Sequence, residues 1–423
     1  VSRRESHDAT PFYERFTPPT ISPESRVALR RAIDDIFCGD ASHMDKIDDD
    51  SVALVVTSPP YFAGKEYETA LGEGHVPATY ADYLAMLEAV FAECVRTLEP
   101  GGRIAVNVAN LGRKPYRSLS ADVTWILQDR LRLLLRGEIV WVKARGATGS
   151  CAWGSYRSPA NPVLRDLSER VIVASKGRFD RAVSQRRRRD TDLPFEPTIT
   201  RDEFMEATTD VWELGSESAR RVGHPAPFPV ELPMRLIELY TYRGDLVLDP
   251  FMGSGTTAVA AARTGRHYAG YDTDPSYVAA AKARVAAERA GGLTGPAVIP
   301  GGAREVAAAW LDANGFRYAA KPSTVAPGVE VAFVATAADG TVCHVDIAGG
   351  FTTFRPGLRR AEVLWKVIAK AAVLHETRPD VPFVVLTPAL PQPGPLAAAL
   401  DAVVGPGRPI REVVELPTRI TTT

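Results

Sequence analysis

The segment Leu248-Asp249-Pro250-Phe251-Met252-Gly253-Ser254-Gly255-Thr256-Thr257 constrains the fold of this chain more than any other. Asp245–Asp249 predicts a buried strand and Thr256–Thr264 an alanine-rich helix. Joining the two through a pair of glycines lets a ligand approach the backbone, and the helix then opens with free N–H groups. Such a turn belongs at the edge of an open α/β sheet, where ligands lie outside the carboxyl ends of the strands. The bland alternative is a tight strand–helix turn with no ligand. The third glycine of a dinucleotide fingerprint is missing, which counts against NAD or FAD. Asp272, ending the next predicted strand (His267–Asp272), could accept hydrogen bonds from two ribose hydroxyls.

A second segment, Thr57-Ser58-Pro59-Pro60-Tyr61, follows the apolar run Ser51–Thr57, another predicted buried strand. Consecutive prolines fix the backbone and remove N–H donors. The turn therefore presents acceptors and the Ser58 hydroxyl beside an aromatic ring. That suits a planar ligand carrying an NH2 group, which would donate to Ser58 and the Pro59 carbonyl while Tyr61 stacks on its face. A rigid loop is the bland reading of Pro-Pro-aromatic alone. Two such turns at strand ends of one sheet are much harder to obtain by chance.

Around these turns, predicted strands (Arg103–Val108, Ile139–Val142, Val171–Ala174) alternate with predicted helices (Tyr80–Leu98, Pro229–Tyr240, Pro275–Ala290). This alternation argues for a parallel sheet covered on both faces, a Rossmann-like α/β fold. Residues 1–30 read as a polar, proline-rich arm, and 31–177 as the half of the domain carrying Ser-Pro-Pro-Tyr. Composition shifts at Arg178, and 178–215 holds Arg186-Arg187-Arg188-Arg189 with little periodicity. Residues 216–290 form the half carrying the glycine turn, 291–302 a Gly/Pro linker, and 303–423 an additional small α/β unit. The sequence contains 45% hydrophobic and 24% charged residues, which excludes a largely disordered chain. No apolar run is long enough to cross a membrane, and the polar N-terminus lacks the apolar stretch of a secretory signal. Four dispersed cysteines and seven histidines without metal-ligand spacing predict neither zinc nor disulfides, so a reducing cytoplasm fits.

Together the two motifs resemble the S-adenosylmethionine-dependent DNA amino-methyltransferases, whose signatures are Asp/Asn/Ser-Pro-Pro-aromatic and Phe-x-Gly-x-Gly. The order here, with Ser-Pro-Pro-Tyr before Asp-Pro-Phe-Met-Gly-Ser-Gly and a variable region between, resembles the permuted beta class to which the PvuII methyltransferase belongs, and implies that 178–215 is the target-recognition region. The resemblance covers roughly residues 30–290. It extends to Phe37-Cys38-Gly39-Asp40, to the stretch from Ser150 through Trp153 and Ser155, and to Gly223–Pro229. It implies S-adenosylmethionine as cofactor, double-stranded DNA as substrate, and the exocyclic amine of a flipped base as methyl acceptor. Ser58, Pro59, Pro60 and Tyr61 would be catalytic. Asp40, Pro227, Phe228, Asp249, Pro250, Phe251, Gly253, Ser254, Gly255, Thr256, Thr257 and Asp272 would hold the cofactor. Lys65, Lys143, Arg186, Arg187, Arg188 and Arg189 would meet DNA, although a solvated charged loop is as common a fate for such arginines.

Serine at the first motif position favours N4 of cytosine, with N6 of adenine as the alternative and an RNA or protein N-methyltransferase behind both. A DNA-binding module that only senses cofactor is the reading from another class; the intact Ser-Pro-Pro-Tyr speaks against it. No Pro-Cys dipeptide occurs, which disfavours cytosine-C5 chemistry. A homodimer and a cognate restriction endonuclease are expected partners. Residues 303–423 faintly resemble a restriction-endonuclease-like core, but Asp346-Ile347-Ala348 lacks the lysine of such a site, so no nuclease activity is expected.

Overall fold

The computed structural model describes residues 20–28, 33–60, 79–110, 116–143, 159–215, 228–290, 302–319, 321–352 and 356–416. The chain folds as two units, Val1–Pro197 with Thr209–Gly295, and Thr198–Thr208 with Pro296–Thr423.

The first unit is built on one eight-stranded sheet. Its strands are β1 (Asp34–Cys38), β2 (Val52–Thr57), β3 (Leu98–Val108), β4 (Leu134–Val142), β5 (Ser168–Ser175), β6 (Val211–Glu213), β7 (Leu246–Asp249) and β8 (His267–Asp272). Their spatial order is β1-β8-β7-β2-β3-β5-β4-β6. All run the same way except β5, which is antiparallel to both β3 and β4. The predicted parallel sheet thus acquires one reversed strand. Continuous apolar sequence explains the centre: every residue of β2 and β7 is buried, as expected of strands covered on both faces.

Helix α1 (Tyr80–Thr97) covers one face with Tyr83, Leu87, Val90, Phe91 and Cys94, joined by Leu119 and Val123 of α2 (Leu119–Trp125). The Thr79 hydroxyl caps α1 by accepting the Asp82 N–H at 3.1 Å. Leu246 and Leu248 of β7 point into this layer. Side chains alternate along a strand, so Val247 and Asp249 point to the other face. There α6 (Thr256–Arg263) lies, its Thr257 hydroxyl donating to Asp249. α1 ends at Thr97, and the chain passes straight into β3 at Leu98. Within β3, Gly101 adopts φ 80°, and a Cβ there would lie 1.9 Å from the Asp180 carbonyl oxygen.

Residues 178–197 lie across this unit, with α3 (Gln185–Asp190) as their one helix among the described residues. Arg181 and Arg188 pin the segment in place. Arg181 pairs with Glu99 and, at 3.0 Å, with Asp245; Arg188 pairs with Glu99 at 2.7 Å and approaches Asp245 at 3.7 Å. The Arg188, Glu99 and Asp245 side chains are fully buried. Removing one member of such a group leaves an uncompensated interior charge. Beyond it the first unit is completed by α5 (Glu231–Tyr240) and α7 (Pro275–Ala290).

The second unit begins with α4 (Arg201–Ala207), although this helix lies within the 178–215 stretch that the change in composition marks off from 303–423. Its capping box joins Thr200 and Glu203, and the Thr200 hydroxyl donates to the Phe351 carbonyl at 2.9 Å. The Asp202 carboxylate accepts the N–H groups of Ala303 and Phe351 at 2.9 and 2.7 Å. These bonds draw the segment into the unit formed by 296–423. Periodicity alone could not reveal them. The remainder comprises α8 (Ala303–Ala313), β9 (Arg317–Tyr318), β10 (Ser323–Ala326), β11 (Val329–Val331), β12 (Phe333–Thr336), β13 (Val342–Ile347), α9 (Ala361–Thr377), β14 (Phe383–Thr387), α10 (Pro395–Asp401) and β15 (Glu412–Glu415).

Its main sheet has the order β15-β14-β13-β12-β9, and β10–β11 form a separate hairpin. The apolar run Val329–Ala335 divides at Ala332, whose N–H is diverted to Asp346 at 3.2 Å. Asp346 also accepts Lys370 of α9 at 2.6 Å, and Lys370 reaches the Glu330 carbonyl at 2.9 Å. Among the described residues no helix is long and apolar enough to cross a membrane.

Candidate active site

Strands β2 and β7 lie side by side, with Leu54 opposite Val247 and Val55 opposite Leu248. After β7 the chain moves outward to β8 on one flank, and after β2 it moves to β3 on the other. A crevice opens where successive connections part in this way, at the carboxyl ends of the two strands. Both sequence motifs occupy those two ends.

Asp249 is the joint between them. Its carboxylate accepts the Thr57 hydroxyl at 2.6 Å, the Thr257 hydroxyl at 2.7 Å and the Phe251 N–H at 3.0 Å. No cation is among these partners. Burial therefore dominates and pushes the Asp249 pKa up to about 6, against the lowering effect of the three hydrogen bonds. Asp249, expected to hold the cofactor, uses its carboxylate for these three bonds. Its carboxylate faces into the protein and ties Ser58's neighbour to the start of α6.

The glycine turn folds back on β8. Gly253 N–H donates to Asp272 at 2.8 Å, and Met252 N–H donates to the Tyr271 carbonyl at 2.9 Å. Gly255 sits immediately before α6 at φ 82°, where a Cβ would come within 2.9 Å of the Ala281 Cβ. Glycine is required there by both conformation and space. Ser254, Thr256 and Thr257 are buried, and Arg284 of α7 donates to the Ser254 carbonyl at 3.2 Å and to the Thr256 hydroxyl at 3.0 Å. Pro250 is buried and Phe251 half-buried.

Asp272 is half-buried, and burial raises its pKa. One oxygen accepts Gly253 N–H and the other Asp274 N–H at 2.9 Å, leaving a lone pair on each for a ligand. Gly39 N–H donates to the Asp272 carbonyl at 3.0 Å, which places exposed Asp40 beside the same strand end. Phe228 is half-buried and precedes α5. Tyr61, Lys65 and Pro227 lie outside the described residues, as do Ser150–Ser155 and Gly223–Ala226.

At the other turn, Pro59 is buried while Ser58 and Pro60 are half-buried. The Tyr83 hydroxyl donates to the Pro60 carbonyl at 2.8 Å. Among the described residues nothing donates to the Pro59 carbonyl, the acceptor that the sequence assigned to an incoming amine. Asn107 of β3 approaches the Ser58 hydroxyl at 3.5 Å through its Nδ2, which also donates to Glu169 of β5 at 2.6 Å. Lys143, expected at DNA, instead pairs with Glu169 at 2.9 Å. Sequence reasoning missed Tyr83, Asn107 and Glu169.

The arginine run divides. Arg186, Arg187 and Arg189 are exposed, and Arg189 lies over the Phe195 ring. Arg188 is buried against Glu99 and cannot reach a nucleic acid in this conformation; the DNA contact expected of it is corrected.

Comparison with known proteins bears on this edge of the sheet. A family model described as DNA methylase, of the N6/N4 type, matches residues 52–283, more than half of the chain. The Type II methyltransferase M.MjaI of Methanocaldococcus jannaschii is 29% identical over 275 residues, covering 57% of this chain and 87% of that protein. The Type II methyltransferase M.BglI of Bacillus subtilis is 30% identical over 293 residues, covering 57% and 82%. Among solved structures, a DNA modification methylase of Thermus thermophilus in complex with S-adenosyl-L-methionine is 29% identical with a TM-score of 0.47, covering 60% of this chain and 94% of that one.

Proposed function

The chain belongs to the N6/N4 DNA methylase family and is a DNA amino-methyltransferase; on that premise we propose that it methylates N4 of a cytosine flipped out of duplex DNA, with S-adenosylmethionine as donor. The observation that carries this reading is the Thr57–Asp249–Thr257 joint, which fixes an acceptor-lined turn beside a glycine turn at one switch point of the sheet. The residues present fit the cofactor. Asp272 keeps lone pairs for ribose hydroxyls, Gly253 and Gly255 make the tight left-handed turn that leads into α6, and the start of α6 offers N–H groups to a carboxylate. Bound there, S-adenosylmethionine supplies a methyl group on a cationic sulfur.

The protein's task is to orient a poor nucleophile. The lone pair of an exocyclic amine is conjugated with its ring. Donation of its two N–H bonds to Ser58 Oγ and the Pro59 carbonyl would hold the nitrogen with that lone pair toward the methyl group. The proton shed after transfer leaves to solvent. Orientation and fixed dipoles of this kind supply most of the rate in such a site. Ser58, rather than aspartate, at the head of the tetrapeptide supports cytosine over adenine. Exposed Arg186, Arg187 and Arg189 supply phosphate contacts whose strength should fall with salt.

The test offers labelled S-adenosylmethionine with duplex DNA, RNA and protein, then identifies the modified nucleoside by mass spectrometry. N4-methylcytosine in duplex DNA is expected. N6-methyladenine would reassign the base, and incorporation confined to RNA or protein would overturn the reading.

A further inference from the structure

Three strands converge on Ser58 from the flank away from the glycine turn. Asn107 comes from β3 and Glu169 from the antiparallel β5; Lys143 follows the last residue of β4. Asn107 is 2% exposed and Glu169 9%. An ionised carboxylate only accepts hydrogen bonds, so the Asn107 atom facing Glu169 must be the amide nitrogen. Glu169 thereby sets which way the amide is turned. The same nitrogen is left pointing its second N–H at Ser58 Oγ, 3.5 Å away, a separation that a bound substrate can shorten. Lys143 balances the charge of Glu169 at the rim of the network. Turning the amide over would place its oxygen against the carboxylate and remove the donor from Ser58.

Resting on the function proposed above, we infer that Asn107, Glu169 and Lys143 form a positioning relay that fixes the hydrogen-bonding role of Ser58. Donation from Asn107 would fix the rotation of the Ser58 hydroxyl and so the direction from which its oxygen receives the target amine. None of the three touches the reacting atoms. They act on the rate by holding one hydroxyl in a single orientation before substrate arrives.

Glu169→Gln tests this, because the uncharged side chain keeps its volume but no longer dictates which amide atom faces it. Its single-turnover methyl-transfer rate on duplex DNA should fall about 10- to 100-fold, in the range of a misoriented catalytic group. Its affinities for S-adenosylmethionine and DNA should stay within about threefold of the unsubstituted protein, the insensitivity that separates positioning from general structural support. Asn107→Asp places a second carboxylate against Glu169, and the pair must then share a proton. That variant should acquire a pH dependence, its rate falling as the shared proton is lost, over a range where the unsubstituted protein shows no such fall. An unchanged rate in Glu169→Gln overturns the relay, as does a loss that follows weakened cofactor and DNA binding. Absence of methyl transfer by the unsubstituted protein would instead overturn the proposed function.

Discussion

The two turns at the switch point meet opposite chemical demands with opposite residues. After β2, prolines strip the backbone of donors and leave carbonyls, while Tyr83 takes the Pro60 carbonyl and leaves that of Pro59. After β7, glycines strip the backbone of side chains and leave N–H groups at a helix start. On the proposed function one turn would receive an amine, the other a cofactor bearing carboxylate and hydroxyl groups. The contrast teaches that a methyl donor and a methyl acceptor can be sorted by the backbone itself, before any side chain contributes. Asp249 bridges the two.

The contrast can be broken most severely at the glycine turn. Gly255→Val should weaken S-adenosylmethionine binding by about 100-fold or more in calorimetry. It forces a branched side chain into a left-handed position already 2.9 Å from Ala281. Unaltered affinity would mean that the turn is ordinary packing. Ser58→Ala comes next. Methyl transfer should fall about 10²-fold, the loss typical of one preorganised hydrogen-bonding group, while cofactor affinity stays the same. A parallel loss of cofactor binding would abolish the division of labour between the turns.

The bridge is the next target. The Asp249 pKa is raised in the folded protein, so its contribution to stability is fully present below the ordinary aspartate value and is lost as pH rises through about 6. The stability difference between the unsubstituted protein and Asp249→Asn should therefore shrink by about 2 kcal/mol from pH 4 to pH 7. Urea midpoints at several pH values would measure it, and a difference independent of pH would show that the carboxylate stays ionised throughout. The smallest effect is expected of Tyr83→Phe, which removes the hydrogen bond to the Pro60 carbonyl. About 1 kcal/mol of stability should be lost, the net worth of such a bond, together with a modest fall in turnover. A change confined to cofactor affinity would place Tyr83 in the wrong half of the contrast.

Both turns were legible because proline and glycine write their constraints locally. The strands and helices around them were legible for a related reason. β8 and α7 have the limits their apolar patterns suggest. The relay behind Ser58 left no such mark. Asn107 and Glu169 sit inside apolar strands, and their meeting depends on the reversed direction of β5. Arg188 was hidden differently. Four consecutive arginines look alike in sequence, yet one turns inward to Glu99, 89 positions earlier in the chain. No local pattern encodes a partner at that distance. The N–H of Ala332 likewise leaves the strand pattern for a carboxylate fourteen residues on.

The capture of Thr198–Thr208 by the second unit has a consequence for anyone who would shorten the protein. The two stretches that build this unit are separated in the chain by the glycine turn and α5–α7, so it is not a detachable tail. Trimming the chain near residue 295 would strip Asp202 of Ala303 and Phe351 and leave α4 with an orphaned inner face. A gene that joins 198–208 directly to 296–423, leaving out the stretch between, would be the better route to isolating the second unit.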